Sequence, residues 1–193
     1  MQSKKLAEVK LHHNTKDLHN MDTTQKYDST QDTLDHIDKV RTNLEMCVLG
    51  LRLRSQGHDK SKLKPPEKEI FDSATTALKG LTYGSDEYKE QLKKMQPALE
   101  HHYSKNSHHP EHYANGIDGM DLLDVLEMLC DWQAATQRHA DGNLAKSLKH
   151  NMRRFKISPQ LQSILANTAF RMDWIDRTDY LDVINDLQLS QMT

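Results

Sequence analysis

Leu34, Ile37, Val40, Leu44, Val48 and Leu51 recur at three- and four-residue steps, the period that lines one face of an α-helix. The pattern predicts a helix over residues 29–56, closed by Gly57 where a helix stop belongs. A short helix or turn is expected to carry residues 58–63, broken by Pro65-Pro66. Residues 67–81 read as helix, with Ile70, Phe71, Ala74 and Leu78 on one side. Tyr83-Gly84-Ser85 reads as a turn with an N-cap serine, followed by a helix over 86–106 interrupted near Pro97. Residues 110–119 read as loop, and residues 120–139 form the strongest helical pattern, ended by Asp141-Gly142-Asn143. Ser158-Pro159 supplies an N-cap followed by proline at the first helical position. Helices near 159–170 and 179–188 finish the chain. No alternating strand pattern appears, so the expected fold class is all-α, a compact helical bundle.

Residues 1–28 are polar and rich in Lys, Asp, Thr and His, and read as an arm that orders on a partner. Residues 29–193 read as one domain, with the candidate chemistry in 30–140 and closing helices in 158–190. A length of 193 residues suits one domain with a core and is short for two. With 36% hydrophobic and 28% charged residues, apolar burial is modest, and metal ligation could add noticeably to stability. The balance of 26 basic against 28 acidic residues excludes a DNA-coating protein. Cys47 and Cys130, the two cysteines, fall in helical apolar stretches and are expected as buried thiols in a reducing interior. No apolar run approaches membrane-spanning length and none follows the N-terminal Met-Gln-Ser-Lys-Lys, so a cytoplasmic location and no membrane partner are expected.

The candidate chemistry centres on the dipeptide His58-Asp59, with His36 upstream in the first helix and Asp131 downstream in Glu127-Met-Leu-Cys-Asp-Trp132. Between them lie five histidines in residues 101–112. Imidazole and carboxylate together are the ligand set of Zn, Mn, Fe and similar ions, and this order reads as one metal site assembled from several helices. His36 falls at the margin of the apolar face of its helix, where an inward-facing polar ligand would sit. Asp124, Glu127 and Asp131 share one helical stripe. Asp124 reads as part of a solvated acidic face, whereas Asp131 borders the apolar side and reads as a ligand. Glu127, one turn earlier, is placed to orient a ligating imidazole. Lys62 falls one turn after His58, and a fixed cation beside a metal suits phosphate. His102 and His109 are seven residues apart, as are His101 and His108, so either pair could share a stripe of a continuing helix. His112, His139, His150 and the arm residues His12, His13 and His19 read as surface histidines.

The order His36, His58-Asp59, Asp131 resembles the HD-domain superfamily, helical metal-dependent phosphohydrolases defined by His…His-Asp…Asp. His58-Asp-Lys-Ser-Lys62 is similar to the His-Asp-x-Gly-Lys of the HD-GYP cyclic-dinucleotide phosphodiesterases, with Ser61 in place of Gly. His108-His-Pro-Glu111 resembles their His-His-Glu with Pro110 inserted, although the Gly-Tyr-Pro loop is absent and the histidines are compressed into one segment. The run from His-Asp-x-Ser-Lys through His-His-x3-Asn-x-His-His-Pro-Glu to Glu-Met-x-x-Asp-Trp is similar to an uncharacterised family of small phage and bacterial proteins, over about residues 30–140. HD nucleotidases carry a Glu shortly after their His-Asp as acid for the leaving group. Here that stretch is Lys60-Ser61-Lys62, and Glu67 would serve only if the Pro65-Pro66 turn folds it back.

The expected fold is thus a helical bundle of HD type. The expected activity is hydrolysis of a phosphoester, in a nucleotide or similar small substrate, by a metal-activated water. His36, His58, Asp59 and Asp131 are expected to hold one divalent ion, and His102 and His109 a second, with His101 and His108 as alternates. Mn, Co, Ni, Zn and Fe are the candidate metals. Asp59 would bridge the ions, Lys62 would hold a phosphoryl oxygen, and Lys105 and Asn106 would add substrate contacts. Two rival readings remain. A set of four His and two Asp resembles the mixed-valent di-iron oxygenases built on HD scaffolds. A non-catalytic phage protein, with metal stapling its helices, is the other. A nucleic-acid partner is not expected, a homo-oligomer is compatible with the sequence, and a phage-encoded chain would work in the host cytoplasm.

Overall fold

The computed structural model describes residues 27–78, 85–138 and 141–190. Among these residues the regular elements are helical, in keeping with the all-α class. The chain divides into two units, Met1–Asn43 and Leu44–Thr193, so the arm boundary expected at residue 28 lies inside the first. Most of the arm, the turn at Tyr83-Gly84 and His139 lie outside the described residues.

Helix α1 runs over Thr30–Gly57 and buries none of its residues. Leu34, Ile37, Val40, Leu44 and Val48 are 41–60% exposed, so the face expected to be buried is open. The reason is general: periodicity reports which residues share a face, and says nothing of what covers it. Cys47 and Cys130 are both exposed, against the expectation of buried thiols.

Beyond α1 a 3-10 turn, Lys60–Leu63, leads through Pro65-Pro66 into α2, Glu67–Leu78. Helix α3, Asp86–Lys105, packs against α2 and is continuous through Pro97, where an interruption was expected. Small buried residues, Ala74 on α2 and Ala98 on α3, allow close approach. The loop read at 110–119 contains two 3-10 turns, Pro110–His112 and Gly116–Gly119. Helix α4, Leu122–Thr136, is shorter than expected and starts at Asp121, whose carboxylate accepts from the backbone N–H of Leu123 and Asp124 at 2.8 Å.

The segment after Asn143, given no element in the sequence reading, is helix α5, Leu144–Arg154. Its signals are present in the sequence: Asn143 caps it by accepting from the Lys146 N–H, and Leu144, Leu148 and Met152 repeat at four-residue steps. Helices α6, Pro159–Arg171, and α7, Arg177–Ser190, follow. The apolar core gathers in these last four helices, around Met128, Leu129 and Trp132 of α4, Leu148 and Met152 of α5, Leu165 of α6 and Val183 of α7. Outside that core the buried side chains include polar ones: Glu67 of α2, His102 of α3, His108 just after α3 and Asp124 of α4 are each at most 2% exposed.

Leu148→Ala, at a fully buried position, is expected to lower stability by about 3 kcal/mol. Leu44→Ala, on the open face of α1, should change it by less than about 0.5 kcal/mol. Urea unfolding of the full-length variants measures both, and a large loss at Leu44 would show that the face is covered in solution.

Candidate metal centre

Helix α1 does not end through a left-handed glycine. The left-handed residue is Asp59 (φ 55°, ψ 12°), two positions after Gly57. Aspartate tolerates this region better than most residues, and the turn converges two neighbouring side chains: His58 Nε2 lies 3.6 Å from Asp59 Oδ2. Asp131, reaching in from α4, places Oδ1 3.6 Å from the same Nε2.

The other carboxylate oxygen of Asp59 faces a second set of imidazoles. Its Oδ1 is 3.3 Å from His102 Nε2 and 3.6 Å from His108 Nε2, and His102 Nε2 is 2.9 Å from His109 Nε2. The stripe expected of a continuing helix is not how this happens. Helix α3 ends at Lys105, and the chain turns back through 106–109 to bring His108 and His109 beside His102. Asp59, His102, His108 and His109 form one group of potential ligands and His58, Asp59 and Asp131 another, the atoms of each lying within 4.8 Å of one another.

Two carboxylates orient the rings. Glu127 Oε1 is 2.8 Å from His58 Nδ1 and 3.2 Å from His108 Nδ1. Glu67, wholly buried at the start of α2, has Oε2 2.9 Å from His102 Nδ1 and Oε1 2.7 Å from His101 Nδ1, and also accepts from Ser61 Oγ at 2.9 Å. An Nδ1–H given to a carboxylate leaves the Nε2 lone pair free for a metal. The contact of His58 and His108 with Glu127 through Nδ1 forms a third group, and hydrogen bonding accounts for it.

The residues fit a divalent ion. Among the described residues Asp59 Oδ1 and His108 Nε2 are buried without a hydrogen-bond partner, although such atoms are nearly always satisfied in folded proteins. Ligand bonds of about 2.0–2.1 Å place neighbouring ligand atoms about 2.9–3.4 Å apart around one ion, and the pairs Asp59–His102, Asp59–His108, His102–His109, His58–Asp59 and His58–Asp131 lie 2.9–3.6 Å apart.

Electrostatics separate the imidazoles. The His58 pKa is raised to about 9, chiefly by Asp131 facing its Nε2, with burial opposing and Glu127 assisting. Burial, with His108 and His102 alongside, pushes His109 down to about 3, and burial also lowers His108. Asp59 is pushed up by burial, but His102 and Lys62 outweigh it and hold the carboxyl well below the ordinary range.

The remaining expected residues have definite places. His36 is exposed on the first unit's stretch of α1 and belongs to none of the ligand groups; the face it borders is open, and His108 is the imidazole that joins Asp59 instead. His101, the other alternate, is engaged with Glu67 and stands outside the groups. Lys62 Nζ donates to Asp59 Oδ2 at 2.6 Å, so it sits beside the cluster. Lys105 is exposed. The Asn106 amide is occupied as a brace, donating to Ser61 Oγ at 2.8 Å and to the His102 carbonyl at 2.7 Å. Asp124 is not a solvated acid. It accepts from Arg54 Nη1, Ser107 Oγ and Tyr113 OH, each at 2.6 Å, and from the Asp121 N–H. Burial raises its pKa, and these donors together bring it down to about 2.

Sequence reasoning missed Arg54, which also donates to Glu127 Oε2 at 3.0 Å. Its signal was its position one helical turn before His58. Glu67 was considered only as an acid, and its role beneath His101 and His102 had no local signal.

The sequence model of a family described as Family of unknown function (DUF5662) matches residues 25–171, and the chain belongs to that family. The matched span contains every residue of the cluster. No curated protein and no solved structure matches the chain.

Asp59 is shared by two ligand groups and His36 belongs to none. Asp59→Ala is therefore expected to abolish metal retention, while His36→Ala keeps the full metal content of the parent, both read by ICP-MS on full-length protein; loss of metal in His36→Ala would overturn this ligand set. A metal must displace the proton that His58, at about 9, carries near neutrality, whereas His109, at about 3, has none to release. Apparent metal affinity should thus rise by about tenfold per pH unit from His58 alone as pH climbs toward 9, then level off. Calorimetry in buffers of different ionisation enthalpy reads that proton, and an affinity unchanged between about pH 6 and 8 would overturn either the raised His58 pKa or its place among the ligands, which metal content in His58→Ala separates.

Proposed function

We propose that the protein is a divalent-metal-dependent hydrolase of a small phosphoester. The observation that carries this reading is the position of Asp59, whose two carboxylate oxygens face different ligand sets, Oδ1 toward His102 and His108 and Oδ2 toward His58. His102, His108 and His109 with Asp59 would hold one ion, and His58 and Asp131 with Asp59 a second. A divalent ion in such a site supplies Lewis acidity to a phosphoryl group and to water.

The chain's own groups then divide the work. Asp59, strongly ionised, is a poor proton acceptor, and as a member of both groups it would serve as a ligand. Lys62 holds an ammonium at Asp59 Oδ2, where charge developing on a phosphoryl oxygen can be neutralised. Glu67 folds back onto the site after Pro65-Pro66, but it is fully buried and committed to Ser61, His101 and His102. It therefore holds imidazoles and does not protonate a leaving group. With that carboxyl engaged, the reading favours phosphoesters whose leaving group departs without help from an acid, such as aryl esters. The His58-Asp59 pair with Asp131 matches part of the HD-type order, while His36, its first histidine, lies outside the ligand groups.

One observation favours a second reading. The clustered ligands number four histidines and two aspartates, the set of the di-iron oxygenases on HD scaffolds. Metal content and turnover separate the two. The hydrolase reading expects 4-nitrophenyl phosphate to be cleaved by Mn- or Co-loaded protein without O2, with Asp59→Ala lowering kcat/KM by on the order of a thousandfold. Tightly held iron with O2 consumption and no hydrolysis would move the assignment to the oxygenase. Folded, metal-loaded protein inactive in both assays would leave the metal as a staple between helices.

A further inference from the structure

His58, Glu127 and Asp131 line one end of a cavity of about 620 Å3. The rest of its wall is almost wholly apolar: Leu51 from α1, Leu126 and Ala134 from α4, and Met172 and Trp174 from the segment that closes α6. Asp131 also borders a smaller cavity of about 230 Å3 with a mixed lining, shared with His109, Tyr103, Trp132 and Arg154.

We infer that the apolar chamber holds an uncharged aryl or hydrocarbon group of the substrate, whose reacting ester lies at His58 and Asp131. This rests on the hydrolase reading for the ester and on the wall itself for the apolar group. The volume suits a small molecule, and an apolar wall with convergent polar groups at one end is how small-molecule sites are built. The hydroxyl protons of the wall are already engaged. Ser55 Oγ donates to the Arg52 carbonyl at 2.9 Å, and Thr168 Oγ1 donates to the Ile164 carbonyl at 2.7 Å. Arg54, the single Lys or Arg among the lining residues, donates to Asp124 at 2.6 Å and to Glu127 at 3.0 Å. A nucleobase placed here would find neither hydroxyl proton of the wall free for its ring acceptors, and its apolar faces gain no more than a plain aryl ring does. A polyphosphate would find no free cation in the wall. An aryl or alkyl group meets neither penalty.

Cys130 lines the chamber and is exposed, so its thiol reports occupancy independently of turnover. The experiment uses full-length, metal-loaded Cys47→Ser protein, in which Cys130 is the single thiol, and follows its alkylation by iodoacetamide. Saturating 1-naphthol is expected to slow the reaction at least fivefold, and 5′-AMP at the same concentration to leave it unchanged. Ala134→Phe, which fills the chamber, and Met172→Glu, which places a charge in its wall at an exposed position, should each cancel the protection. Both must retain the parent's circular dichroism and metal content. In turnover, 1-naphthyl phosphate should show a KM at least tenfold below that of methyl phosphate. Protection by 5′-AMP equal to that by 1-naphthol would overturn the assignment of an apolar group. Equal KM for both esters with no protection by 1-naphthol would overturn the chamber and leave the hydrolase standing. Protection by 1-naphthol without hydrolysis of any ester would keep the chamber and overturn the hydrolase.

Discussion

Two carboxylates, Glu67 and Glu127, decide which way His58, His102 and His108 face. A neutral imidazole has one N–H and one lone pair, and a site that holds Nδ1–H beneath the ring presents Nε2 above it. Glu67 does this for His102, and Glu127 for His58 and, at a longer distance, His108. Burying such carboxylates is costly unless they are paired and hydrogen-bonded. Glu127 meets that condition through Arg54, and Glu67 through Ser61 and two histidines. Arg54 in turn ties Glu127 to Asp124, which draws in Ser107 and Tyr113. Removing either carboxylate would free the rings to turn, and the Nε2 atoms around Asp59 would no longer converge.

This arrangement explains how a chain with so little apolar content is organised. The hydrophobic core lies in α4 to α7, while the α2–α3 half buries charged and imidazole groups. Helix α4 belongs to both. Met128, Leu129 and Trp132 are in the core, and Asp124, Glu127 and Asp131 project toward the cluster from its other face. The apolar side fixes the helix against its neighbours, and the acidic side inherits that rigidity, which is what a ligand set needs if it is to stay within a fraction of an ångström of its geometry. Metal ligation would add to the stability of the polar half, where packing contributes least.

The same division governs what the sequence disclosed. Helical periodicity located most of the elements, and the chemistry of His58-Asp59, Glu127 and Asp131 was legible because each lies on or beside a strongly patterned helix. His36 shared that patterning, but it belongs to none of the ligand groups, and the apolar face it borders is exposed from Leu34 to Val48. Asp124 was misread for the opposite reason. Its stripe looks solvated in one dimension, but its donors come from Arg54, Ser107 and Tyr113, which no local window joins to it. The pairing of His102 with His109 was expected from a seven-residue helical spacing, and arises instead from a chain reversal just after Lys105. Glu67 lay hidden because its partners are 34 and 35 residues away.

Charge balance ties the metal content to the proposed chemistry. Asp59, Glu67, Asp124, Glu127 and Asp131 place five carboxylates in or against the cluster, while Arg54 and Lys62 are the fixed cations paired with them. Without metal the surplus is negative, and the strongly raised pKa of His58 is its local expression, with Asp131 facing the ring. A single divalent ion would leave the region still slightly negative, a poor host for a phosphoester dianion. A second ion would reverse the sign and make the cluster attract the anion it is proposed to cleave. Asp59 allows that second ion, because its Oδ2 faces His58 as well as Lys62 while its Oδ1 serves the other imidazoles. The hydrolase reading is therefore a two-ion reading. A protein that bound only one ion would have the electrostatics of a helix staple, and Lys62 would keep its place on Asp59 as a substitute for the missing charge.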